Sequence, residues 1–225
     1  MIITDQKIIR KKIDSSKFLI FDFDGVIADS ADIKTKAFAE IYKPYGDKIV
    51  SKVIKHNLGT GGGMSRFDKF KYYHNEFLEK KISDSYIENL ADEFSDLVIQ
   101  KVCDCEEISG VSLFLNHYCL GVKKCAINSA TPQNEIQEIV YKRGIKDFFS
   151  IVLGSPSSKV ENLNKLQELL GYNSNEVLFF GDSMADLEAA KIAKISFIGI
   201  GNKILGSIEK ENLLYYHSKD FIGLC

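Results

Sequence analysis

Short, unbroken apolar runs alternate along this chain with stretches whose apolar residues recur every three or four positions. The runs are Phe18-Leu19-Ile20-Phe21, Cys125-Ala126-Ile127, Phe148-Phe149-Ser150-Ile151-Val152-Leu153, Val177-Leu178-Phe179-Phe180 and Ile195-Ser196-Phe197-Ile198-Gly199-Ile200. Strands covered on both faces read as continuous apolar runs, and such runs separated by helical patterns predict an α/β fold around a parallel sheet. The helices between them are punctuated. Thr131 and Pro132 predict a capped start, Ile136, Ile139 and Val140 an inner stripe, and Gly144 a left-handed stop. Ser158 and Glu161 read as a capping box, followed by Val160, Leu163, Leu166, Leu169 and Leu170, with Gly171 as the stop. Ser183-Met184-Ala185-Asp186 opens a further helix, with Leu187 and Ala190 inward.

One stretch breaks the alternation. From about Ala31 to Glu107 no run reads as a strand, and four helical patterns follow one another instead. The first places Ile33, Ala37 and Ile41 on one face and stops near Pro44; the others cover about 47–57, 65–79 and 84–102. This predicts a smaller helical domain at 31–107, inserted after the first strand of a core formed by 1–30 and 108–225. Residues 1–16 are polar with scattered Ile and are not assigned to an element.

Composition narrows the partners. In 225 residues, 29 Lys and Arg face 31 Asp and Glu, a formal charge of -2. That balance creates no field to recruit nucleic acid or an anionic membrane surface. No apolar run approaches the roughly 18 residues of a membrane span, and charge interrupts the N-terminal residues before a secretory apolar segment can form. Five cysteines, without a C-x-x-C pair, make a poor disulfide framework and a poor zinc site. The expectation is reduced thiols in a cytoplasmic protein.

Open α/β sheets bind ligands beyond the carboxyl ends of their strands. There the strands would bring Asp22 and Asp24, then Asn128 and Ser129, then Lys159, then Asp182 and Asp186. Carboxylates gathered at one edge repel one another unless a cation sits among them, and hard oxygen ligands favour magnesium. A carboxylate beside such an ion stays ionised and can act as a nucleophile. Phosphoryl transfer mainly needs charge neutralised on the transferring oxygens. Lys159 falls in a first helical turn, where a cation opposes the helix dipole, so a compensating anion is expected beside it.

These residues, Asp22-Phe23-Asp24-Gly25-Val26, Asn128-Ser129, Lys159 and Gly181-Asp182-Ser183-Met184-Ala185-Asp186, resemble the four ordered motifs of the haloacid dehalogenase (HAD) superfamily. The resemblance covers all but residues 1–16 and implies a Rossmann-like core with a helical cap of the C1 type. It implies Asp22 as the nucleophile that becomes phosphorylated. Asp24 would be the general acid and base, its backbone carbonyl also binding Mg2+. Ser129 and Lys159 would hold the phosphoryl group, with Asp182 and Asp186 as further metal ligands. Within the insert, Gly63-Met64-Ser65-Arg66 is similar to the Gly-x-Ser-Arg cap loop of β-phosphoglucomutase-like members. It implies substrate contacts from Gly63, Ser65 and Arg66, with Asn128 and Ser129 on the core side.

The carboxylate at Asp24 argues for a phosphatase or phosphomutase and against a dehalogenase. The absence of a histidine in Ser30-Ala31-Asp32-Ile33-Lys34 favours the phosphatase over the mutase. The expected substrate is a small phosphorylated metabolite, foremost a sugar phosphate, and the expected assembly is a monomer or homodimer. A receiver-like signalling domain fits less well, because its phosphorylated Asp usually ends the third strand and no large cap intervenes. A non-enzymatic relative would be expected to lack Asp22 or Asp24. His56, Lys34, Lys69 and Lys71 read as ordinary solvated cap residues, and Phe67, Phe70, Tyr73 and Phe77 as cap core.

Overall fold

The apolar runs become the strands of one parallel sheet. A computed structural model describes residues 2–59, 61, 64–201 and 215–225. The chain begins with β1 (Ile2–Ile3), α1 (Gln6–Ser15) and β2 (Phe18–Phe21). The helices α2 (Ala31–Tyr42), α3 (Asp47–Leu58), α4 (Arg66–Tyr72) and α5 (Asp84–Asp104) follow without an intervening strand among the described residues. Then come α6 (Val111–Tyr118), β3 (Lys124–Pro132), α7 (Gln133–Lys142), β4 (Ile151–Ser155) and α8 (Lys159–Leu170). The last elements are β5 (Val177–Gly181), α9 (Met184–Ile192), β6 (Ser196–Ile200) and β7 (Tyr215–Ser218).

Among the described residues the sheet has seven strands in the order β1-β7-β6-β5-β2-β3-β4, all paired in parallel. Strand β2 lies between β3 and β5, with Phe21 in register with Ile127 and Phe180. The next residue of each strand, Asp22, Asn128 and Gly181, therefore emerges at the same edge. Phe18 and Ile20 pack on one face of the sheet, Leu19 and Phe21 on the other. The second of these cores continues without a break into the insert. There Phe38 meets Phe94 and Phe70 at ring separations of 4.4 and 5.4 Å, and Phe70 and Tyr73 are fully buried. The insert leaves and returns along adjacent stretches of chain. The Asp29 N–H donates to the Glu106 carbonyl (2.9 Å) and the Ile108 N–H to the Ile27 carbonyl (3.0 Å). No helix among the described residues is long and apolar enough to cross a membrane.

Several local expectations need correction. Residues 1–16 form an extra strand and helix. Asp5 caps α1 by accepting from Lys7 N–H at 2.8 Å, Ile9 and Ile13 turn inward one helical turn apart, and β1 pairs with β7. The third apolar run becomes a strand, β4, only from Ile151 and not from Phe148, because Lys146–Phe148 forms a 3-10 turn after Gly144. Thr131 does not cap α7; it lies in β3, and its hydroxyl turns to the site described below. Leu169, expected on the inner stripe of α8, is 60% exposed; the stripe runs through Leu163, Leu166 and Leu170, and Leu169 falls beside it. Cys119 and Cys125 form a disulfide, against the expectation of reduced thiols. The turn from α6 into β3, where the Lys123 N–H reaches the Tyr118 carbonyl, folds the chain back and brings their Cα atoms to 5.8 Å. Cys103, Cys105 and Cys225 are free.

Candidate active site

Asp22 and Asp24 stand where β2 ends and the chain turns toward the insert. Asp22 is held by its own backbone, which donates to the Phe180 carbonyl at 2.8 Å, and its carboxylate accepts from the Phe23 N–H at 2.7 Å. Lys159, at the first position of α8, reaches Asp22 Oδ2 at 2.8 Å and also bonds the Asp186 carboxylate. The anion expected beside that badly placed cation is thus a pair of anions. Asp186 is fully buried and forms the N-terminal capping box of α9 with Ser183. Asp186 thus both caps α9 and holds Lys159 at the site.

Carboxylate oxygens of Asp22, Asp182 and Asp186 lie within 4.8 Å of one another. Burial raises the Asp22 carboxyl to about 7; the Lys159 ammonium opposes this, and repulsion by Asp186 and Asp24 adds to it. Asp182 is likewise raised well above its ordinary value by burial and by repulsion from Asp22 and Asp186. Burial disfavours the Lys159 charge, but the two carboxylates outweigh it and hold the ammonium firmly protonated. Such a set of crowded, desolvated oxygens is one that a hard divalent cation would relieve.

Asp24 sits in a different environment. Its carboxylate accepts from Ser30 Oγ (2.5 Å) and Thr131 Oγ1 (3.3 Å) and pairs with Lys34, which also donates to Thr131 at 2.7 Å. Burial pushes this carboxyl up, yet Lys34 and the hydrogen bonds win and hold it below its ordinary value.

The turn between these carboxylates depends on a glycine. Gly25 has φ +79°, and a Cβ built there would lie 2.2 Å from Asp182 Oδ2. A side chain at this position is therefore both conformationally strained and in collision with Asp182. We expect Gly25→Ala to lower turnover about 10- to 100-fold by displacing a site carboxylate, the scale of loss that a shift near 1 Å produces. Steady-state kinetics at matched thermal stability would check this, and unchanged turnover would mean that Asp182 does not need its present position.

Residues of the insert and of the sheet edge together line a cleft of about 580 Å³, a volume suited to a small metabolite. Lys34 and Lys69, expected as solvated residues, both line it, together with Asn57, Thr131 and Arg66. Lys71 remains at the surface, paired with Asp84. His56 packs against Tyr72 at a ring separation of 4.3 Å.

The cap-loop residues divide. Ser65 is the N-cap of α4, accepting from the Asp68 N–H at 3.2 Å and donating to its carboxylate at 2.6 Å, so its hydroxyl is spent on the helix. Arg66 lines the cleft wall, but its guanidinium forks onto Glu135 of α7 at 2.9 and 2.6 Å. Gly63 lies outside the described residues. Asn128, expected at the substrate, does not reach the cleft. It is fully buried and bonds the Lys159 carbonyl (3.0 Å) and Asn162 (3.1 Å), anchoring the start of α8. Ser129 is buried within β3, its oxygen accepting from the Thr131 N–H at 3.1 Å.

The profile of the haloacid dehalogenase-like hydrolases matches residues 19–200, most of the chain. The protein belongs to that hydrolase family. Among curated proteins, the Bacillus subtilis protein YhcW is 27% identical over 205 residues, 87% of this chain and 88% of its own length. The phosphoglycolate phosphatase of Neisseria gonorrhoeae is 27% identical over 201 residues, 84% of this chain and 81% of that enzyme. Among solved structures, β-phosphoglucomutase from Clostridium difficile superposes with a TM-score of 0.72 at 23% identity, covering 88% of this chain and 90% of that one. At that identity the likeness is one of fold. Of the residues named from the sequence motifs, Asp22, Asp182 and Asp186 gather with Lys159 at the sheet edge and Asp24 lines the same cleft, whereas Asn128 turns into the core.

Proposed function

We propose that this HAD hydrolase is a magnesium-dependent phosphatase that cleaves a small phosphorylated metabolite, foremost a sugar phosphate, through an aspartyl-phosphate intermediate on Asp22. The observation that carries this reading is the contact of Asp22 with Lys159 inside a carboxylate cluster at the sheet edge, beside a metabolite-sized cleft lined also by residues of the insert. The phosphatase names among the relatives support it.

The chain's own groups suffice to outline both steps. An Asp22 carboxylate oxygen attacks phosphorus, the Asp22–phosphorus bond forms, and the ester P–O bond breaks. The proton held between Lys34 and Asp24 passes to the leaving oxygen. Water then attacks the phosphorus, the bond to Asp22 breaks, and a water proton returns to the Asp24–Lys34 pair. Lys159 and Ser129 donate to the transferring oxygens and offset their charge. Mg2+ held by Asp22, the Asp24 carbonyl, Asp182 and Asp186 would supply charge neutralisation at the same oxygens; Asp186 would act through water or by holding Lys159. The insert at 31–107, read as the cap, would exclude bulk water when closed.

Phosphate release measured across a panel of phosphorylated metabolites tests this reading. We expect release from a narrow set of esters, lost on chelation by at least about 100-fold and restored by Mg2+, since one Lewis acid supplies several kcal/mol here. Interconversion of sugar phosphates with little free phosphate would replace the phosphatase reading with a phosphosugar mutase. Full activity in chelator would remove the metal from the mechanism.

A further inference from the structure

The cap presents Lys34, Arg66 and Lys69 to the cleft, and their charges are answered differently. Arg66 is already compensated. Glu135 takes its guanidinium from two sides, Ser95 Oγ accepts at 2.6 Å, and the Phe94 ring lies 4.6 Å beneath it. Because Glu135 belongs to the core helix α7, this ion pair clasps cap to core. It leaves little positive charge for a ligand.

Lys69 stands one turn further along α4 and is only 8% exposed. Its ammonium donates to Asn57 Oδ1 at 2.5 Å and lies 5.1 Å from the centre of the Phe38 ring. Among the described residues no carboxylate pairs with it. The neutral acceptor is itself braced, since Asn57 Nδ2 donates to Thr35 Oγ1 at 2.7 Å and that hydroxyl donates to the Ala31 carbonyl at 2.8 Å. The other cleft lysines have counter-ions: Asp24 for Lys34, and Asp22 with Asp186 for Lys159. Lys69 is thus the lysine of the described cleft wall that lacks one.

A desolvated ammonium without an anion is costly. Burial, with Lys34 adding and Asp24 opposing, lowers Lys69 to about 7. A rigid neutral brace that fixes such a group in a binding cleft makes sense when the ligand supplies the anion. Its position says which part of the ligand. The phosphoryl group belongs at Asp22 and Lys159 on the core, and Lys69 reaches the same cleft from the cap, where the leaving group must lie.

We propose that Lys69, braced by Asn57, determines specificity for the leaving group, and that the substrate carries a second anionic group there, a carboxylate or another phosphate. This rests on the phosphatase reading above for its orientation, and narrows a sugar phosphate to one bearing such a group. It also separates the roles of Arg66 and Lys69, with Arg66 holding the cap and Lys69 reading the ligand.

Equilibrium binding to the Asp22→Asn protein in magnesium tests this without turnover, using two matched pairs of probes. These are 3-phosphoglycerate against glycerol 3-phosphate, and fructose 1,6-bisphosphate against fructose 1-phosphate. We expect at least a tenfold tighter Kd for the anionic member of one pair, which also tells carboxylate from phosphate. Lys69→Met in the same background, which keeps the stem on Phe38 but removes the charge, should reduce that preference to within about threefold, and Lys69→Arg should keep part of it. Asn57→Asp offers a second route should Lys69→Met fold poorly. It gives Lys69 an internal counter-ion and should also lower the preference at least threefold. Equal Kd values within both pairs, or a preference that survives Lys69→Met and Asn57→Asp, would overturn the assignment. Wild-type protein that binds with the expected preference yet releases phosphate from none of the four esters would instead sink the phosphatase reading and leave the anion site standing.

Discussion

Replacing Asp22 by Asn is expected to lower phosphate release by about 10³- to 10⁶-fold, the loss seen when a covalent nucleophile is removed. The amide is nearly isosteric but has a single oxygen, so it can serve either the Phe23 N–H or Lys159, which bond different oxygens of the carboxylate, and it cannot form the acyl phosphate. The stability of the metal-free protein is expected to move the other way. The Asp22 carboxyl lies at 3.8 ordinarily and at about 7 in the fold, so folding takes up a proton between those values. A raised carboxyl pKa means that the charged form opposes folding, and the penalty is complete above pH 7. The amide of the Asp22→Asn variant carries no charge, so the variant's melting temperature at pH 7.5 in chelator should equal or exceed that of the parent. Trapping of labelled phosphoenzyme, phosphate release and thermal unfolding together check this. Retention of more than about a tenth of the activity would show that Asp22 is not the nucleophile.

Phe21→Ala is expected to cost about 3–5 kcal/mol of stability, the usual range for deleting a buried Phe. The side chain is fully buried, stacks on Phe180 at 4.9 Å, and meets Phe149 and Phe114 edge-on at 6.0 and 6.1 Å. Those rings join the centre of the sheet to α6 and to the turn before β4, so little can collapse into the void without moving a strand. A protein stable by about 5–15 kcal/mol would lose much of its margin, and the melting temperature should fall by about 10 °C. Phe21 also precedes Asp22 directly, so activity should fall with stability. Denaturant unfolding would measure the loss, and a cost below about 1 kcal/mol would show that the aromatic cluster is not what secures β2.

Much of the core site was legible before any coordinates, because it depends on short-range order. An apolar run followed at once by a carboxylate, at Phe21-Asp22 and again at Gly181-Asp182, states both a buried strand and what stands at its end. The capping boxes at Ser158 and Ser183 are contained within four residues, and both formed. The anion predicted for Lys159 followed from the helix dipole alone, although its double identity as Asp22 and Asp186 did not.

Other features had weak signals or none. Lys34 sits one helical turn beyond Ser30, and both side chains reach Asp24; that spacing could have marked the face of α2 that looks at the site. Thr131 was assigned to a helix cap by its Pro132 neighbour, although a hydroxyl at a strand end was an equally local reading. Glu135 and Asn57 carry no local signal, since each acquires its meaning from a side chain on another helix. The same holds for the Cys119–Cys125 pair, which needs the turn out of α6 to close.

By itself, then, the sequence determined the parallel α/β architecture, the helical stretch after the Phe18–Phe21 strand, and the carboxylates and lysine gathered at one sheet edge. Those follow from periodicity and strand-end placement, which neighbouring residues set. Only the tertiary structure decided how the charges pair: Arg66 is taken by Glu135, Asp24 by Lys34, and Lys69 is left with a neutral amide. Charge pairing in a cleft depends on distances of about 2.5–3 Å between elements far apart in the chain, and the spacing of residues along the chain carries no record of those distances.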